Sequence, residues 1–378
     1  MELTIINAIG MSKFEQIPTL NFKKDKKEEI EYFDLLKETY QSAEIMNKLD
    51  VQRKRGQRSR ALFTDVDNTF FRIGKEKAMR TVEDRAEKME VPIVAVTGND
   101  FKNLYEKRIK TGELPYFDVI IGAVGTEIWS LHKDKSGKLS YKKDEYYDKL
   151  LKSGGFQREE MMMKSLEMIN DLKEKWPEAK LDFQKPELEQ QWLTEKSAEV
   201  QPYKISFHFF ANEEEKVSEI TDIASRNFPS QPIVVCEEIN YNQNIALGDK
   251  NKKYNLDILP ATKKDAIKYL SNLIGLEQGI VAGDSGNDID MLLDEDKMVA
   301  VLVGGYKKEA KDAVERAIVR RKPGRRSFQK IVHPDGTVKV IYVEPESDKR
   351  QASESILRAA EILMRAKSIQ EIRQRREV

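Results

Sequence analysis

The chain has 378 residues, with 65 Lys and Arg balanced by 65 Asp and Glu, so its formal net charge at pH 7 is zero. That balance argues against a generally basic nucleic-acid binder, and a hydrophobic content of 39% over this length argues against wholesale disorder. Cys236 is the single cysteine, so neither an intrachain disulfide nor a multi-cysteine zinc site can form; with no secretory leader or membrane-length apolar run, a soluble cytoplasmic protein is expected.

From Lys26 to Leu49, Ile30, Phe33, Leu36, Tyr40, Ala43 and Met46 recur every three to four residues, the period of an amphipathic helix. The dense positive charge of Arg53 to Arg60, with Gly56 inside it, reads as a linker. Residues 1–59 are therefore expected to be a helical extension. From Ala61 the texture changes to strand-length apolar runs at Ala61–Phe63, Val91–Val96, Val119–Ile121, Gly279–Ala282 and Met298–Val303. Several are continuous rather than alternating, as in parallel strands covered on both faces. Helical stretches at Lys75–Met89 and Lys263–Ile274 separate them, which predicts a doubly wound, Rossmann-like α/β core over residues 60–128 and 255–345.

Residues 129–254 read as an inserted α+β cap. Phe156–Trp176 and Glu213–Arg226 have helical character, and Tyr203–Phe210 and Pro232–Glu237 have strand character. Phe328–Glu344 predicts a hairpin turning at Pro334-Asp335-Gly336, and Ala352–Ile372 an amphipathic helix in a terminal extension over residues 346–378.

Polar motifs follow the apolar strands directly, at the carboxyl ends where an open α/β sheet forms its ligand crevice. Asp65 and Asp67 end the first strand, ahead of Asn68-Thr69. Gly283-Asp284-Ser285-Gly286-Asn287-Asp288 ends another, with glycines that let backbone approach a ligand closely. A capped turn explains either motif alone, but a loop needs no second acid cluster elsewhere in the chain. Carboxylate oxygens from several acids suit Mg²⁺. Thr97-Gly98 supplies a hydroxyl and an open N–H for a phosphoryl oxygen, and Lys263 opens the helix before the second acidic loop.

In this order, Asp65 and Asp67, Thr97, Lys263, then Asp284 and Asp288, the chain resembles the haloacid dehalogenase superfamily of phosphatases. Its large insertion between Thr97 and Lys263 is similar to the type-two α/β cap. DVDNT, VGTEIW, PYKISF, LDILP and GDSGND further resemble sucrose-phosphate phosphatases and related sugar phosphatases. Two positions depart from that pattern: Asn99 stands where the family often has Arg, and Lys264 where Gly follows the motif lysine. Lys263 rather than Lys264 keeps the spacing to Ala266-Ile267.

The resemblance implies a Mg²⁺-dependent phosphomonoesterase in which Asp65 attacks phosphorus and Asp67 serves the leaving group as acid. Thr97 and Lys263 would stabilise the phosphoryl oxygens. Asp65, Asp284, Asp288 and Asp67, the last through its carbonyl, would hold the metal. Asn68, Gly98 and the cap residues Glu199 and Lys204 are the implied substrate contacts, with a small phosphorylated sugar as partner. Rival readings are a phosphatase of a mannosylglycerate or trehalose phosphate, a nucleic-acid module using the basic segments Arg53–Arg60 and Arg316–Arg326, and a scaffold with a dead site. Zero net charge disfavours the nucleic-acid reading, and intact Asp65, Asp67, Thr97 and Asp284 disfavour the dead scaffold. The terminal helices would cover the core or pair two subunits.

Overall fold

The structure is a computed structural model that describes residues 39–175, 182–183, 202–211, 214–237, 252–294, 298–318, 327–332, 338–344 and 352–365. Its first half comprises α1 (Glu44–Lys54), β1 (Arg60–Thr64), α2 (Glu76–Lys88), β2 (Ile93–Val96), the short α3 (Phe101–Leu104), β3 (Val119–Gly122), β4 (Glu127–Lys133), β5 (Leu139–Lys143), α4 (Glu145–Ser153) and α5 (Arg158–Lys175). There follow β6 (Asp182–Phe183), β7 (Ile205–Ala211), α6 (Glu214–Asn227), β8 (Ile233–Glu237) and β9 (Lys252–Ile258). The chain then forms α7 (Lys263–Leu273), β10 (Gln278–Gly283), α8 (Ile289–Leu293), β11 (Met298–Leu302), α9 (Lys308–Ala317), β12 (Ser327–Val332), β13 (Val338–Val343) and α10 (Ala352–Arg365).

Nine strands make the main sheet in the order β12-β13-β11-β10-β1-β2-β3-β4-β5. The run from β13 to β3 is parallel, and antiparallel strands close both edges. The continuous apolar runs are explained by cover on both faces. Phe63, Val94, Ile121, Val281 and Ala300 join one buried cluster with Ile45 and Leu49 of α1. Leu62, Ala95, Ile120, Ile280 and Val301 join another with Met79 and Val82 of α2 and Ile356 and Ala359 of α10.

The second sheet is antiparallel, in the order β6-β7-β9-β8. Alternation along its strands divides it into two faces. Ile205, Phe207 and Phe209 of β7 and Leu256 and Ile258 of β9 pack in one apolar cluster with Met168, Ile169 and Leu172 of α5 and Ile220 and Ala224 of α6. Lys204, Ser206, Asn255 and Asp257 carry the opposite, polar parity, and this second face bears on the site.

Three expectations need correction. The cap was expected from residue 129, but β4 and β5 hydrogen-bond into the main sheet, so its second edge extends to Lys143. Their polar exposed positions alternate because edge strands wet one face. The Arg53–Arg60 segment is not simply a linker: α1 continues to Lys54 and Arg60 already starts β1. Gln52 is 1% exposed and explains the continuity. Its amide donates to the carbonyls of Arg60 (3.1 Å) and Glu90 (2.6 Å) and accepts from Arg60 N–H (2.7 Å). Arg53 donates to the Ile274 carbonyl at 2.8 Å, so part of the basic run is occupied with structure. Finally, the N-terminal helix expected from Lys26 begins among the described residues only near Glu44, and residues 1–38 lie outside them. The hairpin turn at Pro334–Gly336 and the end of the C-terminal helix also lie outside the described residues; the strands β12 and β13 pair as expected.

The terminal helices bury their apolar faces on their own chain, so no second subunit is needed to cover Ile45, Leu49, Ile356 or Ala359. Leu49→Ala should therefore cost about 2–5 kcal/mol in urea unfolding. A change below about 0.5 kcal/mol would mean that α1 is a surface appendage.

Candidate active site

β10, β1 and β2 are parallel neighbours, so their carboxyl ends lie side by side. Asp284 follows the first, Asp65 the second, and Thr97 the third. The fourth contributor is α7, whose first residue is Lys263. Its N-terminus is fixed by Asp265, which accepts from Thr262 N–H at 2.9 Å. It also fits against the turn at Gly125, where φ is +104° and a Cβ would lie 2.2 Å from the Thr262 carbonyl oxygen. The same turn holds Ala123 and Val124 at positive φ, 48° and 62°. A β-branched residue there costs about 1–3 kcal/mol. The compensation is local: Ala123 and Val124 N–H donate to the carbonyls of Asn99 (2.8 Å) and Thr97 (3.0 Å). One strained turn thus grips both the Thr97 segment and the start of α7.

Lys263 is fully buried, and its ammonium donates to Asp65 Oδ1 at 2.8 Å and Asp288 Oδ1 at 2.7 Å. Between Lys263 and Lys264, it is Lys263 that reaches the carboxylates. Asp288 accepts through Oδ2 from Asp284 N–H (3.0 Å) and Ser285 N–H (3.1 Å), so it organises the loop as well as pairing the lysine. Gly283 makes this possible, since a Cβ there would sit 2.4 Å from Asp288 Cβ. Asp284 Oδ1 accepts from the Thr69 hydroxyl at 2.8 Å. The carboxylates of Asp65, Asp284 and Asp288 offer oxygens all within 4.8 Å of one another.

This cluster holds more negative than positive charge, and its titration reflects that. Burial pushes the Asp65 carboxyl well above the usual range; Lys263 opposes the shift, while Asp288 and Asp284 add to it. Burial, then the Asp288 charge, raises Asp284 to about 7. Burial works against the Lys263 charge, but Asp288 and Asp65 outweigh it and hold the ammonium above its ordinary value. Asp65 and Asp284 each keep one oxygen that accepts no hydrogen bond among the described residues. Two hard oxygens in a buried, electron-rich pocket fit Mg²⁺. Asp288 fits less well as a metal ligand than expected, because donors already occupy both its oxygens.

Thr97 is buried, and its hydroxyl oxygen accepts from Asn99 N–H at 3.1 Å, which leaves its proton to donate. Gly98 faces Asn287, whose Nδ2 would lie 3.6 Å from a Cβ there. Asn287 accepts from Ser285 Oγ at 2.9 Å and lies 3.4 Å from Lys263 Nζ. Asp67 does not join the acid cluster. Its half-exposed carboxylate accepts from Arg108 Nη1 at 2.6 Å and Asn99 Nδ2 at 3.0 Å. Asn68 takes a left-handed φ of 60°, and its carbonyl accepts from Arg72 at 3.0 Å. Arg72 also donates to the Gly304 carbonyl at 2.9 Å and so ties this turn to the loop after β11.

The polar face of the second sheet closes on these loops. Gly286 approaches β8 so nearly that a Cβ would lie 2.7 Å from the Val235 carbonyl oxygen. Cys236 there is pushed up to about 12, first by burial and then by Asp257; Lys307, Lys204 and Lys263 act in the opposite direction. Lys204, expected to meet a sugar hydroxyl, is 6% exposed and pairs with Asp257 at 3.3 Å. Ser206 donates to the same carboxylate, as does Asn255 at 3.0 Å. Glu199 lies outside the described residues. The residues not singled out from sequence are Thr69, Asn287, Arg72, Arg108 and Asp257. Thr69 and Asn287 stand inside recognised motifs, and Asp257 within LDILP; Arg72 and Arg108 have no local signal.

The family model for sucrose-6F-phosphate phosphohydrolase matches residues 58–323. The chain belongs to that family. It is a hydrolase of the haloacid dehalogenase superfamily, a phosphatase of sugar phosphates. A structure of the sucrose-phosphatase from Synechocystis sp. PCC6803 with sucrose and phosphate is 21% identical, with a TM-score of 0.53, covering 82% of this chain and 99% of that one. This likeness bears out the fold, a mostly parallel core sheet with helices. More distant are the haloacid dehalogenase-like yhjK from Bacillus subtilis (18% identity, TM-score 0.40, 80% and 91% covered) and the subclass IIB sugar phosphatase BT4131 (15%, 0.43, 80% and 99%). No curated protein matches the chain. Among the described residues, no helix is long and apolar enough to cross a membrane.

Two outcomes follow from this geometry. Gly125→Ala should displace the start of α7 and lower turnover by about a hundredfold, the usual effect of a 1 Å misplacement, while the variant still unfolds cooperatively. Unchanged turnover would mean that the Gly125 contact does not position Lys263. The metal-free protein should also lose stability as pH rises from about 4 to about 7. In that window the folded state binds more protons than the unfolded one, so rising pH favours unfolding. Mg²⁺ at a hundred times its Kd should restore about 2.7 kcal/mol above pH 7 and much less at pH 5. Thermal unfolding reads both effects, and Asp284→Asn should weaken the pH slope and the Mg²⁺ response together.

Proposed function

We propose that this phosphatase hydrolyses a sucrose-phosphate-like sugar monoester in two displacements at Asp65, with Mg²⁺ as cofactor. The observation that carries the reading is the Asp65 carboxylate, buried at a strand end, fixed by the Lys263 ammonium at 2.8 Å and adjoining Thr97 through the neighbouring strand β2. One Asp65 oxygen is held by Lys263, and the other is left to attack phosphorus. A carboxylate nucleophile divides a hard hydrolysis into two easier steps.

In the first step Asp65 bonds to phosphorus, the bond from phosphorus to the sugar oxygen breaks, and Asp67 gives that oxygen a proton. In the second, water attacks the aspartyl-phosphate, Asp67 takes back a proton, and phosphate leaves. Lys263 and the Thr97 hydroxyl stabilise charge on the transferring oxygens, the electrostatic work that dominates phosphoryl transfer. Mg²⁺ held by the free oxygens of Asp65 and Asp284, with the Asp67 carbonyl, would offset repulsion between anionic nucleophile and anionic phosphate. Asn68 and Gly98 border this position on the β1 and β2 sides.

Choice of sugar falls to the cap. Lys204, Ser206, Asn255 and Asp257 form a hydrogen-bonded row on the face turned toward the loops, and Glu199 is the further cap candidate. Because Lys204 is committed to Asp257, the pair would act as one unit, donating and accepting together toward sugar hydroxyls.

Asp65→Asn should abolish Mg²⁺-dependent phosphate release, by more than about a thousandfold, with an unchanged unfolding midpoint. Screened across sugar phosphates, the wild-type protein should favour sucrose-6F-phosphate over mannosylglycerate and trehalose phosphates. Near-wild-type release by Asp65→Asn would sink the mechanism; a different preferred sugar would overturn only the substrate.

A further inference from the structure

Arg108 has no part in the chemistry described so far, yet a seat has been built for it. It lies in Tyr105–Ile109, which continues α3 as a π-helical turn, closed by Lys110 N–H donating to the Tyr105 carbonyl at 2.9 Å. Such wide turns alter the direction of the side chains they carry and concentrate at functional sites. The Arg108 side chain is only 16% exposed although its residue belongs to a surface helix. Its guanidinium lies 4.8 Å from the centroid of the Phe71 ring. Glu113 Oε1 accepts from its Nε at 3.1 Å and its Nη2 at 3.0 Å. With that edge fixed, Nη1 is aimed at Asp67 Oδ1 at 2.6 Å.

The geometry points to Arg108 as the positioning residue of the proton donor: it holds Oδ1 of Asp67 so that the transferred proton is carried on Oδ2. The inference rests on reading Asp67 as the group that protonates the leaving oxygen. A guanidinium has only donors, so the oxygen it holds is kept as an acceptor. Charge-assisted hydrogen bonds are about twice as strong as neutral ones, so the 2.6 Å contact to Arg108 outlasts the 3.0 Å contact from the Asn99 amide on Oδ2. When substrate arrives, Asn99 is the partner that yields. Oδ2 then faces the oxygen of the breaking phosphorus–oxygen bond, and its proton moves to that oxygen as the bonding pair leaves phosphorus. Asp67 is left as carboxylate with Oδ1 still on Arg108, and recovers a proton on Oδ2 from the water that attacks the aspartyl-phosphate.

A misplaced proton donor has a signature that general damage lacks. A leaving group that is stable as an anion departs without a proton, whereas a basic one does not. The test is kcat/KM, which reports the first displacement, for wild type, Arg108→Lys and Arg108→Ala on p-nitrophenyl phosphate, phenyl phosphate and sucrose-6F-phosphate. Arg108→Ala should lose about a hundredfold on the sugar phosphate and an intermediate factor on phenyl phosphate. On p-nitrophenyl phosphate it should lose less than about fivefold, so the dependence on leaving-group basicity steepens. Arg108→Lys, which keeps a cation but not the fork, should lie between the two. Equal losses on all three substrates, or no loss on any, would overturn the assignment. Thermal unfolding shows whether an equal loss is a folding defect, and Arg108→Lys then decides. A wild-type protein that releases phosphate from none of the three would remove the parent reading, an outcome distinct from a wild-type-like slope in Arg108→Ala.

Discussion

The site is organised around one buried ammonium. Lys263 stands between Asp65 and Asp288 with no exposure to solvent, a position that only paired carboxylates make tolerable. Each neighbouring feature serves this placement. Asp265 fixes the first turn of α7, and Gly125 lets that turn come close to the strained segment Ala123–Gly125. Gly283 leaves room for Asp288. Asp288 then uses its second oxygen to shape the loop that presents Asp284. Nucleophile, countercharge and acidic loop are therefore one hydrogen-bonded unit, and small displacements of α7 are felt by all of it.

The same unit is deliberately out of electrical balance. Three carboxylates meet one lysine, so Asp284 titrates near 7 and Asp65 is also raised, chiefly by burial. A cluster in that state is completed by a cation and by the correct arrangement of phosphate, and is costly without them. The cap enters the argument at Gly286, where the β8 backbone rests on the acidic loop. Because that contact is backbone to backbone, the polar row from Lys204 to Asp257 has a defined height above the reacting atoms, which makes selection of the sugar separable from chemistry on the phosphate.

Much of this was legible in the chain itself, for physical reasons. Strands covered on both faces have to be continuously apolar, so β1, β2, β3, β10 and β11 stood out, and the reactive residues follow them because parallel strands expose their carboxyl ends together. What was obscured depended on partners remote in sequence. β4 and β5 alternate like strands of the cap, and only their pairing with β3 assigns them to the core. Lys204 reads as a surface cation until Asp257 is brought beside it. Gln52 has the look of a linker residue, whereas its burial comes from capping the backbone of β1. Arg108 sits among Lys107, Lys110 and Glu106, where nothing marks one cation from another. The π-helical turn that aims it is invisible to periodicity.

The central claim is that the Lys263 ammonium holds Asp65 ready to attack phosphorus. Replacing it with Met keeps most of the volume and removes only the charge, so phosphate release by Lys263→Met at saturating Mg²⁺, with unfolding followed in parallel, tests the claim most directly. The account predicts a folded variant whose turnover falls by more than about a thousandfold. A folded Lys263→Met protein turning over within about tenfold of wild type would contradict it.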